Sequence, residues 1–322
     1  MISLRSASLT AQILPFGATL AGLWLDGHPD SLVIGSSDAE AYTDHLRYFG
    51  AVIGPIANRI SGAALQIGGA AFSMEANEGS ACLHSGASGL HARMWTVLRC
   101  SAAAVSLRCE LPDGANGLPG NRRVEAHYEL TDDGQLVLEL TAQSDRATAI
   151  NLAHHPYWNL GNADTIQNHH LMVYADTYLP VDQQILPTGE IAPVAQTAYD
   201  FQTLRAIPID RTLDANLCLA KIRRARPEPA ARLRGPSGVT LQIDTTEPGL
   251  QIYNGSSLHD VPISLHDQRV LRPFSGIALE PQGWPDAPHN RAFPSIVLRP
   301  GQTYRQKTIY RIWHELSEPA TF

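Results

Sequence analysis

Short alternations of apolar and polar residues recur along the whole chain, and they decide what it can fold into. Runs such as AAVSLRCEL, RRVEAHYELT, GQLVLELTAQ, HHLMVYADTYLP, GVTLQIDT and LQIYNGSSL either alternate or are rich in β-branched residues. A period of two sends successive side chains to opposite faces of a strand. Gly, Pro, Asn and Asp punctuate the runs at the spacing of an all-β sandwich. LTDDGQLVLEL predicts a hairpin in which Asp133-Gly134 supplies a tight primed turn. Helical signal is confined to SSDAEAYTD and a turn near RTLDANL, and PEPAARLRGPSG reads as a surface loop between strands. No composition shift, long linker or repeat divides the chain. Residues 1–322 therefore read as a single all-β domain, a large antiparallel β-sandwich.

Composition narrows the class of function. The 322 residues are 44% hydrophobic, enough to bury a large core without help from disulfides or metal. The net charge is -7 and the basic residues are scattered, which argues against a nucleic-acid footprint and a polybasic membrane patch. Small molecules are the expected partners. Lys221 and Lys307 are the only lysines, and neither lies in a setting that suits Schiff-base catalysis. Cys82, Cys100, Cys109 and Cys218 show no CxxC pairing and read as reduced thiols of a cytoplasmic protein. The segment MISLRSASLTAQILPFGATL lacks a basic region followed by an uninterrupted apolar stretch, and no later segment approaches the ~20 apolar residues of a membrane helix. Secretion and membrane insertion are not expected.

Four segments could carry chemistry. In SGIALEPQGWPD, alternation places Gly276, Ala278, Glu280 and Gln282 on one face and Ile277 and Leu279 on the other. The small residues predict space above the sheet into which Glu280 and Gln282 project. Pro281 cannot donate to a ladder, so the strand is expected to end here or to lie at an edge. AINLAHHPYWNL repeats the grammar, with Asn151, Ala153, His155 and Tyr157 sharing a face. His154 and His155 then point in opposite directions, which argues against joint chelation of a metal, and no His-x-x-x-His or cysteine spacing supplies a zinc site. His155 is the better acid–base candidate, because an imidazole near neutral pH can give or accept a proton. GAVIGPIANRISGA offers Asn58 and Arg59, whose amide and guanidinium could grip adjacent hydroxyls, with a surface ion pair as the plainer use of Arg59. ACLHSGASGLHARMW places His84 before a glycine-rich turn suited to a binding loop or to a water-facing histidine. Trp158 and Trp284 read equally well as core aromatics.

In order along the chain, NRI near residue 58, LH-x-G near 83, NL-x-x-H-x-Y-x-NL near 151, D-x-N near 214, YNG near 253, and LEPQ-x-x-PDA through FPS to LRPGQTY resemble the aldose 1-epimerases, also called galactose mutarotases. The resemblance spans nearly the whole chain. It implies a galactose mutarotase-like supersandwich and a cofactor-free, metal-free enzyme that interconverts the α and β anomers of a free monosaccharide. It further implies Glu280 as catalytic base and His155 as general acid. Arg59, His84 and Asp214 match substrate-binding residues of the family, with Asn58 and Gln282 beside them in the pocket and Trp284 available to stack on the sugar. The chain departs from the family pattern at Pro55, Ser85, His154, Trp158 and Trp284, and these positions are expected to adjust sugar preference. A non-catalytic sugar-binding sandwich, an enzyme for a phosphorylated sugar and a glycoside hydrolase using Asp214 as second carboxylate are the alternatives. Either a monomer or a homodimer fits the sequence.

Overall fold

The computed structural model describes residues 1–161, 163–261 and 263–315. A nine-stranded antiparallel sheet runs in the order Arg205–Ala206, His170–Val173, Glu228–Arg234, Val239–Thr245, Tyr304–His314, Gln135–Ser144, Arg122–Leu130, Ala104–Leu111 and Thr96–Cys100. A six-stranded antiparallel sheet runs Tyr157–Trp158, Ile277–Gln282, Gly249–Tyr253, Asp214–Cys218, Thr177–Tyr178 and Ala192–Pro193. The two share one core, in which Leu241, Ile243, Tyr310 and Ile312 of the larger sheet join Leu250, Ile252, Ile277 and Leu279 of the smaller. Alternation supplies that core directly: Val124, Ala126, Tyr128 and Leu130 are buried while Arg123 and Glu129 face solvent. Each aliphatic side chain taken fully out of water contributes roughly 1.5–3 kcal/mol. Helical elements among the described residues are 3-10 turns of three to five residues, and none is long and apolar enough to cross a membrane.

Several local expectations require correction. PEPAARLRGPSG is no loop: Glu228–Arg234 is a strand inside the larger sheet, with Ala231 and Leu233 turned to the core. A register shift between Pro229 and Ala231 absorbs the proline that disguised it. The segment RTLDANL is strand from Asp214 onward, because Leu213, Ala215 and Leu217 alternate into buried positions. The hairpin after Leu130 forms, but without a primed turn. A type I′ turn needs positive φ at both central residues, and of Asp133 and Gly134 only Gly134 has it, at 79°. The loop closes instead through the Thr131 N–H donating to the Gln135 carbonyl at 2.9 Å. SSDAEAYTD holds a 3-10 turn at Ala39–Thr43, started by the Asp38 carboxylate accepting the Glu40 N–H.

His154 points away from His155 into the core, its Nδ1 3.0 Å from the Tyr310 hydroxyl. His169 accepts the Leu160 N–H on Nε2 at 2.9 Å. Burial disfavours the imidazolium in both, pushing His154 down to about 3 and His169 to about 4 from an ordinary 6.5. Their depressed folded values make the sign definite: stability is fully present above pH 6.5 and is lost as pH falls toward 4, where the unfolded chain binds protons that the folded chain refuses. Each such histidine contributes a slope of roughly 1.4 kcal/mol per pH unit in that window. The thermal midpoint followed by circular dichroism should therefore drop between pH 6.5 and 4, and drop less steeply in His154→Asn. Parallel curves for the two proteins would contradict this assignment.

Candidate active site

Register in the six-stranded sheet builds one wall of a cavity. Gln251 pairs with Glu280, Tyr253 with Ala278 and with Asp214, and Tyr157 with Ala278. Cross-strand partners share a face, so Tyr157, Glu280, Gln251, Tyr253 and Asp214 stand together while Ile277, Leu279, Leu250 and Ile252 turn to the core. Ile277–Gln282 is interior to the sheet and not at its edge, and of the two outcomes expected from its proline the strand takes the other, ending at Gln282 one residue after Pro281. Its neighbour Tyr157–Trp158 reaches only Ile277 and Ala278, however, so Pro281 is paired on one side alone. The space above Gly276 is filled, since a Cβ there would lie 2.9 Å from the Tyr157 Cβ and 3.1 Å from Ile34, while Glu280 does project into the cavity.

The remaining wall comes from two short strands, Arg59–Ile60 paired with Cys82–Leu83. Asn58 and His84 precede and follow them and lock together. The His84 N–H donates to the Asn58 carbonyl at 3.0 Å, and the Asn58 N–H donates to His84 Nδ1 at 3.1 Å. That acceptor role leaves Nε2 as the protonated nitrogen of a neutral ring, and burial, with repulsion that His155, His91 and Arg59 would offer a second proton, holds the imidazole well below its ordinary value. Both residues take left-handed backbone, φ 63° and 53°, which Asn and His tolerate better than most. Arg59 is buried and forked onto Glu78, Nε to Oε2 at 2.5 Å and Nη2 to Oε1 at 2.9 Å, while Nη1 lies 3.8 Å from Asp214 Oδ2. Gln251 Nε2 donates to Asp214 Oδ1 at 2.5 Å. Burial raises the Asp214 carboxyl, opposed by Arg59 and Gln251.

His155 and Glu280 meet inside this enclosure, Nε2 3.4 Å from Oε1, both almost fully buried. Burial drives the two in opposite directions. It raises the Glu280 carboxyl well above the usual range, Asp214 adding to the rise and Arg59 opposing it, and it lowers the His155 imidazole to about 4. Burial thus disfavours the charged form of each group, the Glu280 carboxylate and the His155 imidazolium alike. Aromatic rings frame it: Tyr48 lies nearly parallel to His155 at 6.3 Å between centroids, and Tyr157 stands at 5.1 Å. The cavity measures about 280 Å³, just below the roughly 300–1,000 Å³ of sites for drug-sized ligands. A single small polar molecule fits it.

Two hydrogen-bonded ties fix the chain segments that carry this pair. Asn151 Oδ1 accepts the Gly283 N–H at 2.7 Å, and its Nδ2 donates to the Gly283 carbonyl at 3.2 Å. The Tyr304 hydroxyl accepts the Leu152 N–H and donates to Gln306 Oε1, whose Nε2 donates to the Pro281 carbonyl at 2.9 Å. The segment before His155 and the segment after Glu280 are thereby joined twice.

Of the residues singled out in the sequence, Glu280, His155, Arg59, His84, Asp214 and Asn58 line this one cavity. Gln282 shares the parity of Glu280 but is fully covered, and its amide finds no partner among the described residues. Trp284 does not face the cavity as expected for stacking on a sugar. Its ring packs edge-on against Phe293 and its N–H donates to the Pro248 carbonyl. The five departures from the family pattern do not line the cavity, so they do not set its walls. Trp158 and His154 are core, and Ser85 uses its hydroxyl on both backbone groups of Ile56. Tyr48, Glu78, Leu83, Tyr157, Ile185, Gln251, Tyr253 and Ser257 complete the lining. Tyr157 carries a signal in the sequence through the face it shares with His155, and Gln251 and Tyr253 carry one as polar breaks in the otherwise apolar alternation GLQIY.

A sequence model of the aldose 1-epimerase family matches residues 1–311. The chain is 35% identical to human galactose mutarotase over 325 residues, with 96% of this chain and 92% of the human one covered. It is 31% identical to the aldose 1-epimerase of Haemophilus influenzae, covering 97% of this chain and 95% of that one. Among solved structures, the aldose epimerase homologue from C. elegans superposes with a TM-score of 0.90 at 31% identity, over 97% of this chain and 98% of that chain.

The Asn151 tie can be tested without reference to any activity. Asn151→Ala leaves a buried N–H and carbonyl of Gly283 unpaired, and unfolding in urea should show a loss of about 1–3 kcal/mol. No measurable loss would mean that the tie does not hold the two segments.

Proposed function

The chain belongs to the aldose 1-epimerase family, and from that premise we propose that Glu280 and His155 are the base and the acid that open and reclose the sugar ring. Its activity is the interconversion of the α and β anomers of an aldose, an isomerisation. Opening a cyclic hemiacetal takes a proton from the anomeric hydroxyl and delivers one to the ring oxygen. A Glu280 carboxylate accepts the first and a His155 imidazolium supplies the second, so no full charge builds up on the sugar. The products of that step are the open-chain aldehyde, a Glu280 carboxylic acid and a neutral imidazole, the form of the pair that burial favours. Rotation about C1–C2 presents the other carbonyl face to the C5 hydroxyl. Closure then runs the two transfers backwards, with His155 taking the hydroxyl proton and Glu280 protonating the carbonyl oxygen. Both charge changes are proton transfers, and the scheme calls on no cofactor or metal.

Arg59, Asn58, His84 and Asp214 serve this scheme by holding hydroxyls away from the reacting carbon, so that ring oxygen and anomeric hydroxyl meet the two catalytic groups in one orientation. Gln251, bonded to Asp214 through Nε2, keeps Oε1 for a hydroxyl donor. The proposal extends to a single domain over residues 1–322 acting as a monomer or homodimer in a reducing cytoplasm, where Cys82, Cys100, Cys109 and Cys218 stay thiols. Relatives named for galactose make that sugar the first to try.

The observation that carries the proposal is the 3.4 Å approach of His155 Nε2 to Glu280 Oε1 in a cavity lined with hydroxyl-binding groups. Polarimetry of freshly dissolved α-D-galactose, α-D-glucose and a pentose is its test. The unmodified protein should accelerate the decay of rotation for at least one sugar, and Glu280→Gln and His155→Gln should each lose about 10²–10⁴ in kcat. Undiminished rates in Glu280→Gln would overturn the assignment of the base.

A further inference from the structure

Glu78 is a wall residue that the ring-opening chemistry does not use. Its backbone is pinned by reciprocal hydrogen bonds with Ala81, N–H to carbonyl at 3.2 and 2.9 Å, and its side chain is 39% exposed where the cavity meets solvent. From there it occupies two of the guanidinium nitrogens of Arg59, and Asp214 lies 3.8 Å from the third. Among the described residues lining the cavity, Arg59 is the only Lys or Arg, against the three carboxyl groups of Glu78, Asp214 and Glu280. His84 and His155 add no positive charge, since burial favours their neutral rings. A guanidinium at a sugar site would otherwise be a ready partner for a phosphate or a carboxylate, because its planar fork matches both. Here Glu78 takes the Nε–Nη2 edge of that fork and balances its charge, leaving N–H groups on Nη1 and Nη2 for neutral hydroxyls.

We propose that Glu78 is a specificity-determining residue: by occupying the Arg59 fork at the cavity mouth, its carboxylate shuts out sugars that carry an anionic group and confines the site to neutral aldoses. This rests on the assignment of the cavity as the sugar site. The charge arrangement acts in two ways. An incoming phosphate or carboxylate is repelled by Glu78 directly, and it finds no unpaired cation to offset the loss of its own hydration.

Glu78→Gln is the informative variant, since a carboxamide of the same shape can still accept from Arg59 while removing the charge. The rates of anomeric exchange would be measured for D-galactose, D-glucuronate and D-glucose 6-phosphate with the unmodified protein, Glu78→Gln and Glu78→Ala, separating kcat from KM. The ratio of kcat/KM for the neutral over each anionic sugar should fall at least tenfold in both variants, chiefly through a lower KM for the anionic sugars. Raising the salt concentration should narrow the ratio in the unmodified protein and leave it nearly unchanged in the variants. Comparable falls for glucuronate and the 6-phosphate would mark a general exclusion of anions, and a fall for one of them would locate the carboxylate along the sugar. Ratios unchanged within threefold for both, in folded variants of a protein active on galactose, would overturn the role of Glu78 alone. An unmodified protein that accelerates no neutral aldose would overturn the assignment of the cavity together with this one.

Discussion

Cross-strand register in the six-stranded sheet is the constraint on which the rest of the cavity depends. Asp214, Gln251, Glu280 and Tyr157 come from four strands and share a face only because Asp214 pairs with Tyr253, Gln251 with Glu280, and Tyr157 with Ala278. A slip of one residue in Ile277–Gln282 would turn Glu280 into the core and Leu279 into the cavity. The apolar partners forbid that slip: Ile277, Leu279, Leu250 and Ile252 are all fully buried against the larger sheet. The core thus sets the position of the polar groups, and the ties through Asn151 and through Tyr304 and Gln306 carry that position across to His155.

The fold was legible because alternation reports it locally. Strand parity separated His154 from His155 correctly, one bonded to Tyr310 in the core and the other facing Glu280. Parity names a face and says nothing of depth, and this is where the reading failed. Gln282 has the same parity as Glu280 but is sealed over, and its cross-strand partner is Gly249, where Asn216 and the Trp284 ring close in within about 3 Å of where a side chain would begin. The resemblance that made Trp284 available to stack on the sugar says as little of depth, and the ring is sealed against Phe293. Glu228–Arg234 reads as a loop because Pro229 and two arginines, Arg232 and Arg234, mask the short Ala231, Leu233 alternation that buries it. Glu78 left no local mark, since its meaning comes from Arg59, 19 residues earlier, folding back against it.

The electrostatics of the cavity rest on desolvation more than on paired charges. Burial raises Glu280 and lowers His155, so a single proton on the pair is favoured on the carboxyl over the imidazole. Moving that proton to His155 leaves the net charge unchanged and produces the carboxylate and imidazolium that the proposed ring opening requires. The sugar then carries the proton from one group to the other, and neither half of the pair is useful without its partner. The surrounding groups fit this economy of charge, because Arg59 is balanced by Glu78 and Asp214 and His84 is neutral.

A shared proton makes a definite demand on the energetics. Two groups that act as one unit are non-additive when removed, whereas independent contributors multiply. Polarimetric kcat values for the unmodified protein, Glu280→Gln, His155→Gln and the double variant measure this directly. A single proton passed between Glu280 and His155 predicts a double variant within about threefold of the slower single one. A double variant slowed by the product of the two single losses would contradict it.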